Sequence, residues 1–507
     1  MSDIVFSNIP PNLRVPLFYA EFDPTQAASS QPVQRTLIVG QASASVPATP
    51  VPSFVASTDW AGSQYGYDSQ LTAMIAAYKA NDPVGEVWAL PLADAGGATK
   101  AGGSITIAGT ASVNGTLFLT LAGTDIQVGV TSGQAAAAIA TNVAAAITLA
   151  AAQAPLPMGP GTVSSGSVPL TATNGGTVGN QMSILLNRLG GKGGQVTPAG
   201  LTVTIVAMTG GATDPSLTNI STWLGSAAFD FIYSPYSDTV SLGFTSALMN
   251  DTSGRWSYAA QVYGHVWTAK QDTVANLQSY GAALNDQHLT VLGVTSSSPS
   301  PAFLRGAARL GASVPSLKAQ PNRPLQTLLA YGVLCERPDQ DIGFASAQAL
   351  LSVGIALDKP TGSGPQCMRA VTTYQSNRYG QSDTSYLDTE TMYLSMAVIR
   401  RLKAAVTTQL PRALLADDGT PIAATPNGDT PVVVTPGVIK SLMIADYNSM
   451  VASNWVERPD LFIRGLIVQR NSQDPSRVDT LFDPYYVGGL RVFAVLTQFH
   501  LQAQASQ

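Results

Sequence analysis

Buried-strand and helical patterns alternate in two separate stretches of the chain. The run RTLIVGQ (35–41) is almost continuously apolar, which is typical of a strand buried on both faces. Apolar residues at helical spacing over 71–78 follow it, and GEVWALPL (85–92) predicts the next strand. The alternation resumes with FDFIY (229–233) and HLTVLGV (288–294). It predicts one α/β core domain, built from residues 35–95 and 213–387.

The intervening residues 96–212 show a different pattern. Short alternating runs such as SITIAG (104–109), TLFLTLAG (116–123) and LTVTIVAM (201–208) are separated by Gly, Asn and Thr, which is typical of half-buried antiparallel strands. An Ala-rich stretch, 134–153, has one apolar stripe at four-residue spacing, so it predicts a helix lying on a sheet. We interpret 96–212 as an inserted β-rich domain.

A third unit, of α+β class, is predicted for residues 388–470. Asp388 can cap a helix with apolar residues along one stripe, and Thr435 with Pro436 can begin a second helix. The run LFIRGLIVQR (461–470) predicts a strand. Three cations, Arg400, Arg401 and Lys403, lie in the C-terminal half of the first helix, either as a solvated face or as a face for a partner.

The last predicted strand, LRVFAVLTQFHL (490–501), is apolar on both faces. Seven large apolar side chains alternate along it: Leu490, Val492, Phe493, Val495, Leu496, Phe499 and Leu501. Leaving all of them in water would cost on the order of 10–20 kcal/mol, as an upper bound. We therefore expect this strand to be packed, and we expect the polar residues 471–489 to act as a tether with a hinge at Gly488 and Gly489.

A similar arrangement is predicted at the other end of the chain. The segment RVPLFYAEF (14–22) has a strand pattern, and the polar residues 23–34 join it to the core. Its apolar residues are Val15, Leu17, Phe18, Tyr19 and Phe22. Two alternatives stay open for both terminal strands: pairing within one chain, or strand exchange between identical subunits.

The composition favours an assembly subunit. Charged residues make up 11% of the 507 residues, whereas about 25% is usual for soluble domains. The apolar share of 45% excludes disorder, and a net charge of −5 without a basic block argues against direct nucleic-acid binding. A weakly charged surface is expected to be covered by partners. The first residues lack the pattern of a secretory signal, so we expect assembly in a cytosol and no membrane insertion.

Residues with catalytic or ligand-binding chemistry are sparse. The two cysteines, Cys335 and Cys367, are too few for a disulfide framework. The three histidines, His265, His288 and His500, lack the spacing of a helical zinc site, and GGKGG (190–194) lacks the other residues of a phosphate-binding loop. We therefore predict no cofactor, no metal and no enzymatic activity.

Six segments resemble Mu-type contractile phage tail sheath proteins. They lie at both termini, in the insert and in the C-terminal unit, so the resemblance covers nearly the whole chain. They are SNIPPNLRVPLFYAEFDPTQA (7–27), QRTLIVGQ (34–41), TNGGTVGN (173–180), TPAGLTVTIVAMTGGATDPSL (197–217), SYLDTETMYLS (385–395) and RGLIVQRNSQDPSRVDTLFDPYYVGGLRVFAVLTQF (464–499).

The resemblance implies a structural role in a phage virion. Subunits would stack as six-fold rings around the tail tube, with baseplate and tail terminator proteins as further partners. The arms, 14–22 and 490–501, would add strands to a neighbour's C-terminal domain, and contraction would drive the tube through the host envelope. The recipient strand would include Leu461, Ile463, Leu466 and Val468, and the tube-facing residues would include Arg400, Arg401 and Lys403.

Two other classes of protein remain as alternatives. A subtilisin-like hydrolase would require an Asp, a His and a Ser in contact, with His265 or His288 as the base. A β-rich surface or adhesion protein that does not contract is the second alternative.

Overall fold

The computed structural model describes residues 34–420 and 433–500. The predicted N-terminal arm and Leu501 lie outside these residues. The helices are α1 (Thr58–Tyr65), α2 (Gln70–Lys79), α3 (Ala136–Gln153), α4 (Ile220–Leu224), α5 (Thr239–Met249), α6 (Val274–Ala282), α7 (Ala302–Ala319), α8 (Gly343–Ser352), α9 (Thr389–Gln409), α10 (Pro436–Ala452) and α11 (Pro459–Gly465).

The strands are short, and most of them lie in the first three-quarters of the chain. They are β1 (Thr36–Gln41), β2 (Ser53–Phe54), β3 (Val87–Leu92), β4 (Lys100–Gly109), β5 (Gly115–Leu121), β6 (Thr124–Val130), β7 (Met158–Pro160), β8 (Ser167–Gly175), β9 (Ile184–Leu186), β10 (Leu201–Thr209), β11 (Phe231–Tyr233), β12 (His265–Asp272), β13 (Leu289–Thr295), β14 (Ile355–Thr361), β15 (Gly364–Arg369), β16 (Leu414–Leu415), β17 (Val433–Val434), β18 (Val456–Glu457), β19 (Ile467–Arg470), β20 (Val478–Leu481) and β21 (Tyr485–Tyr486).

One large sheet organises the α/β core. Its strand order is β15-β14-β13-β12-β11-β1-β3-β2. The six inner strands are parallel, and the edge strands β15 and β2 are antiparallel. Every residue of β1 is buried, which explains the continuous apolar run in its sequence. Residues from both predicted stretches, 36–92 and 231–369, therefore share this sheet.

The strands between Lys100 and Thr209 form two further sheets. Their orders are β10-β4-β8-β7 and β6-β5-β9, and all pairs are antiparallel. Helix α3 is long and apolar enough to cross a membrane by length and composition alone, a weak criterion that core helices also meet. Its stripe of Ile139, Val143 and Ile147 is fully buried, and the helix contacts both of these sheets.

The C-terminal unit has its own apolar cluster, which helix α9 joins to the α/β core. Tyr393 and Met396 of α9 pack in the main core, whereas Leu394 and Val398 pack with Met443, Tyr447 and Phe462. Because adjacent faces of one helix serve the two clusters, α9 connects the two parts rigidly.

The predicted strand over 461–470 is wrong in its first half. Leu461 and Ile463 lie in helix α11, Leu466 follows that helix, and only Val468 lies in a strand, β19. Pro459 occupies the first helical turn, where its fixed φ is favourable, and Arg464 pairs with Asp460 one turn earlier at 3.0 Å. A short apolar run fits either period, so these local features decide the outcome.

The predicted tether 471–489 is partly folded. Strand β20 pairs with β19 as a hairpin, and β21 pairs with β18. Phe482, Tyr485 and Tyr486 pack on the C-terminal cluster. The polar composition of this segment suggested a linker, but these aromatic residues stabilise it against the C-terminal unit.

Candidate assembly surfaces

The place where a doubly wound sheet binds ligands is filled in this protein. Such sheets bind ligands beyond the carboxyl ends of the strands, at the point where the strand order reverses, which here lies between β1 and β11. At the end of β1, Gln41 donates from Nε2 to the Gly175 carbonyl and to Asp94 Oδ1, both at 2.7 Å. The space left there is about 10 Å³, roughly one water.

Asn174 makes the contact between the insert and the core specific. Its Oδ1 accepts from the Gln70 N–H at 3.0 Å, and its Nδ2 donates to the Ala42 carbonyl at 2.7 Å and to Asp94 Oδ1 at 3.0 Å. The side chain is buried. The turn at the end of β8 is therefore hydrogen-bonded into the crevice that a ligand would otherwise occupy.

The histidines lie in packed surroundings. His265 is fully buried, and its Nε2 lies 2.8 Å from Thr290 Oγ1. Burial, and to a smaller extent His288, holds the pKa of His265 well below its ordinary value. His288 Nε2 lies 2.9 Å from Asp251 Oδ1, and its ring packs on Trp256. Within residues 34–420 and 433–500, no serine hydroxyl is hydrogen-bonded to either ring, so the contact that the hydrolase alternative requires is not found there.

The cysteines are both buried and form no disulfide. Burial raises the pKa of Cys367 to about 12 and also raises that of Cys335, which keeps both thiols protonated. Across the part of the chain that the structure describes, no group of three His, Cys, Asp or Glu side chains is arranged to hold a metal.

Four buried charges form a network on helix α7. Arg305 Nη1 contacts Glu336 Oε2 at 2.8 Å, and Arg309 Nε contacts Asp358 Oδ1 at 2.8 Å. All four side chains are at most 6% exposed. The network fixes α7 against β14, and the pairing explains how an otherwise apolar interior accommodates these charges.

The cations predicted to face the tail tube differ in their surroundings. Arg400 pairs with the buried Asp230 and donates to the Val262 carbonyl at 2.9 Å, so it connects α9 to the core. Arg401 Nε contacts Asp446 Oδ1 at 2.8 Å. Lys403 is exposed. The prediction is wrong for Arg400, because the buried carboxylate of Asp230 directs it inward, and it remains untested for the other two.

The C-terminal segment displays large apolar side chains to solvent. Residues 490–500 form neither helix nor strand, so of the two alternatives left open for this segment, pairing within the chain is not seen among the described residues. Six side chains are 68–86% exposed: Leu490, Val492, Phe493, Val495, Leu496 and Phe499. The apolar pattern of the sequence predicts that these side chains are buried, but no other part of the described chain covers them.

The beginning of this segment is held by a loop of the core. Asn322 Nδ2 donates to the Val487 carbonyl at 3.1 Å, and Gln326 Nε2 donates to the Leu490 carbonyl at 3.2 Å. Arg491 Nη2 lies 2.9 Å from Glu390 Oε2 and 3.3 Å from Asp388 Oδ1. Arg491 was not among the residues predicted from the sequence. The feature that could have identified it is a single cation within an apolar run.

The predicted hinge at Gly488 and Gly489 lies between these held residues. A Cβ on Gly489 would lie 2.5 Å from Pro324 Cγ, whereas one on Gly488 would meet nothing within 4 Å. Neither glycine has a left-handed φ. Gly489 is therefore more closely packed than Gly488, and the hinge prediction remains untested for both.

The hairpin of β19 and β20 exposes apolar side chains beside open strand edges. Ile463, Ile467 and Leu481 are 39%, 50% and 57% exposed. Among residues 34–420 and 433–500, β19 and β20 pair only with each other. Each strand therefore has backbone groups available for a further strand.

Comparison with known proteins identifies the class. No family model matches the chain. A full-length relative does: the chain is 33% identical over 502 residues to the Mu-like prophage FluMu tail sheath protein of Haemophilus influenzae, covering 98% of this chain and all of that protein. The chain belongs to the family of Mu-like tail sheath proteins, which confirms the resemblance seen in its sequence.

Several solved structures are similar at low sequence identity. A sheath tail protein from Desulfitobacterium hafniense has a TM-score of 0.43 and 11% identity, and covers 93% of this chain and 100% of that chain. The sheath tail protein Lin1278 from Listeria innocua has a TM-score of 0.42 and 10% identity, and covers 89% and 95%. The helical sheath of the anti-feeding prophage in the contracted state has a TM-score of 0.42 and 10% identity, and covers 96% and 99%.

Proposed function

We propose that this tail sheath subunit polymerises by strand exchange, in which the C-terminal segment of one copy pairs with the C-terminal unit of the next. The carrying observation is the row of six exposed apolar side chains between Leu490 and Phe499. Burying them would contribute on the order of 10–20 kcal/mol per subunit, as an upper bound. Few monomeric proteins leave such a contiguous apolar stretch in water.

The hairpin of β19 and β20 is the proposed recipient of a neighbour's residues 492–500. An extended segment added to one of its edges would gain main-chain hydrogen bonds, and alternate side chains would reach Ile467 and Leu481. Val468 supports the site from the other side of the strand, by packing on the C-terminal cluster. Because the hairpin is two strands wide, a third strand would also stabilise the recipient.

Membership in the sheath family supports a proposal for the wider assembly. Subunits would form six-fold rings stacked around the tail tube, assembled in the host cytoplasm and bounded by baseplate and terminator proteins. Residues 14–22 would serve as the second arm. Contraction would draw its free energy from interfaces that are better packed in the shorter state, and exchanged strands would keep the rings connected while the subunits rotate.

The proposed domain bounds give each region a role in this assembly. Residues 35–95 with 213–387 would form the α/β core and 388–470 the C-terminal unit. Of the predicted tether and arm, 471–507, strands β20 and β21 pack with the C-terminal unit, so the free arm would begin after Arg491. Residues 96–212 would form the outer surface of the sheath. Tube contact would fall to the C-terminal unit, with Arg401 and Lys403 as its candidate residues.

Truncation after Arg491 tests the proposal. Removing residues 492–507 should give a folded, soluble monomer that forms no tubes in negative-stain electron microscopy, whereas the full chain forms long striated tubes. A control truncation that removes only residues 503–507 keeps every exposed apolar side chain described above and should assemble. Long sheaths from the larger truncation would overturn the proposal.

A further inference from the structure

The C-terminal segment is attached to the rest of the subunit up to Arg491 and is exposed after it. Val487 is fixed by its N–H, which donates to the Trp455 carbonyl at 3.1 Å, and by Asn322. Leu490 is fixed through its carbonyl by Gln326. The Arg491 side chain is only 12% exposed, and every residue from 492 to 500 is exposed. Arg491 is therefore the last point at which the chain is attached to the described part of the subunit.

The attachment is a buried ion pair. The Glu390 side chain is 3% exposed, and its Oε1 accepts from the Leu325 N–H at 2.8 Å while Oε2 faces Arg491. Asp388, the second carboxylate near Arg491, also accepts two hydrogen bonds from Arg369, at 2.8 and 3.1 Å. A buried carboxylate whose cation is removed remains uncompensated, so this pair resists opening.

We propose that Arg491 is the anchor that fixes where the C-terminal arm leaves its subunit, and hence where a neighbouring subunit must lie to receive it; this rests on the proposed strand exchange. The pivot of the arm is then the backbone after Arg491, three residues beyond Gly488. In this role Arg491 is a positioning residue, because it acts through the arm and does not itself contact the neighbour.

The anchor also determines which part of the subunit carries the arm. Glu390 lies in the first turn of α9, next to residues that pack in the α/β core, and the loop with Asn322 and Gln326 follows α7 of the same core. The arm is therefore attached where the two parts meet, to the first turn of α9 in the C-terminal unit and to the loop that follows α7 in the core. A movement of either part would displace the arm.

Proteolysis of the full-length chain before it assembles tests the anchor. Chymotrypsin cleaves after Leu490 and also after Phe493, Leu496 and Phe499, whose side chains are already exposed, so the combined rate at these three sites is an internal control. We expect R491M to raise the rate of cleavage after Leu490 at least tenfold and leave the control rate unchanged. The double variant R491M/E390Q removes the uncompensated carboxylate, so it should fold as the wild type does and show the same increase. R491K, which retains a cation, should restore part of the protection.

A matched control removes a different ion pair of the same region. Arg477 contacts Asp479 at 2.6 Å but is 64% exposed, so R477M should leave both cleavage rates unchanged. In electron micrographs, R491M/E390Q tubes should be shorter and should lack regular helical order. Unchanged cleavage after Leu490 in the double variant, or tubes with wild-type order, would overturn the proposal. If the truncation after Arg491 still forms sheaths, strand exchange fails, whereas the cleavage result still reports on the anchor itself.

Discussion

The inserted region and the C-terminal segment both depart from an ordinary polar surface, for opposite reasons. The insert has only four charged residues from 96 to 212, and the last segment has a strand that is apolar on both faces. In the structure the insert exposes five large apolar side chains, scattered over its length: Val113, Leu149, Leu189, Val196 and Val206. The C-terminal segment exposes six within ten residues.

The difference shows that a shortage of charge is weak support for a contact surface. Inside the insert, strand pairing satisfies the backbone hydrogen bonds, and α3 covers the sheets. The surface of the insert therefore carries few charges, while most of its large apolar side chains are buried. Isolated exposed apolar residues are normal on soluble proteins. A contiguous row on a segment without regular structure is what distinguishes the C-terminal end.

The largest expected effect comes from replacing four exposed apolar side chains by serine, in the C-terminal segment and, for comparison, in the insert. A variant with V492S, F493S, L496S and F499S should lose all tube formation, because it removes most of the apolar area offered to a neighbour. The matched variant V113S, L149S, V196S and V206S in the insert should form tubes as the wild type does. Sedimentation and electron microscopy measure both, and equal losses in the two variants would contradict the comparison.

Asn174 connects the insert to the α/β core by hydrogen bonds. N174A leaves the Gln70 N–H and the Ala42 carbonyl without their partner in a buried site, so the free energy of unfolding should fall by about 2–3 kcal/mol. N142A, on the exposed side of α3, should change it by less than about 0.5 kcal/mol. Denaturant unfolding measures both values. A similar small change for N174A would mean that the insert is only loosely attached.

The pH dependence of stability distinguishes the buried His265 of the core from the exposed His500 of the C-terminal segment. Since the pKa of folded His265 is depressed, the unfolded chain binds more protons as pH falls below about 6.5, and stability should drop by up to about 1.4 kcal/mol per pH unit. H265Q should flatten this slope, whereas H500Q, at an exposed position, should retain it. Denaturant unfolding between pH 5 and 8 gives the slopes. Equal slopes for wild type and H265Q would show that another group controls acid stability.

The smallest expected effect concerns the two glycines before the arm. G489A should destabilise the protein by about 1 kcal/mol, since the added methyl group meets Pro324. G488A should be neutral or slightly stabilising, because it reduces the entropy of the unfolded chain without a clash. Thermal unfolding of the pair distinguishes them. Equal effects would indicate that the chain at Gly489 is less closely held than the packing indicates.

Much of the fold could be predicted wherever the pattern was long or strongly alternating. The strands β1, β5, β10 and β13 were predicted at nearly their observed positions, and the starts of helices α9 and α10 were predicted correctly. Helix α7 was not, because Arg305 and Arg309 interrupt its apolar pattern, and their partners Glu336 and Asp358 are distant in sequence. Helix α11 was missed because a short apolar run fits a strand equally well.

The candidate surfaces could be predicted only in part, because they depend on contacts between segments that are distant in the sequence. The exposed apolar row at 490–499 was visible as a pattern, but whether the chain itself covers it depends on tertiary structure. The inward orientation of Arg400 depends on Asp230, which lies far away in the sequence. Arg491 could not be assigned an anchoring role without the positions of Glu390 and the 322–326 loop.

Helix α9 makes the two apolar clusters move as one body. Its contacts with the α/β core, through Tyr393, Met396 and Arg400, alternate along the helix with Leu394 and Val398, which pack in the C-terminal cluster. Because the two sets of contacts share the same turns, a rotation of the core carries the C-terminal cluster with it. A change of angle between neighbouring subunits would therefore be taken up outside α9, in the exposed residues after Arg491.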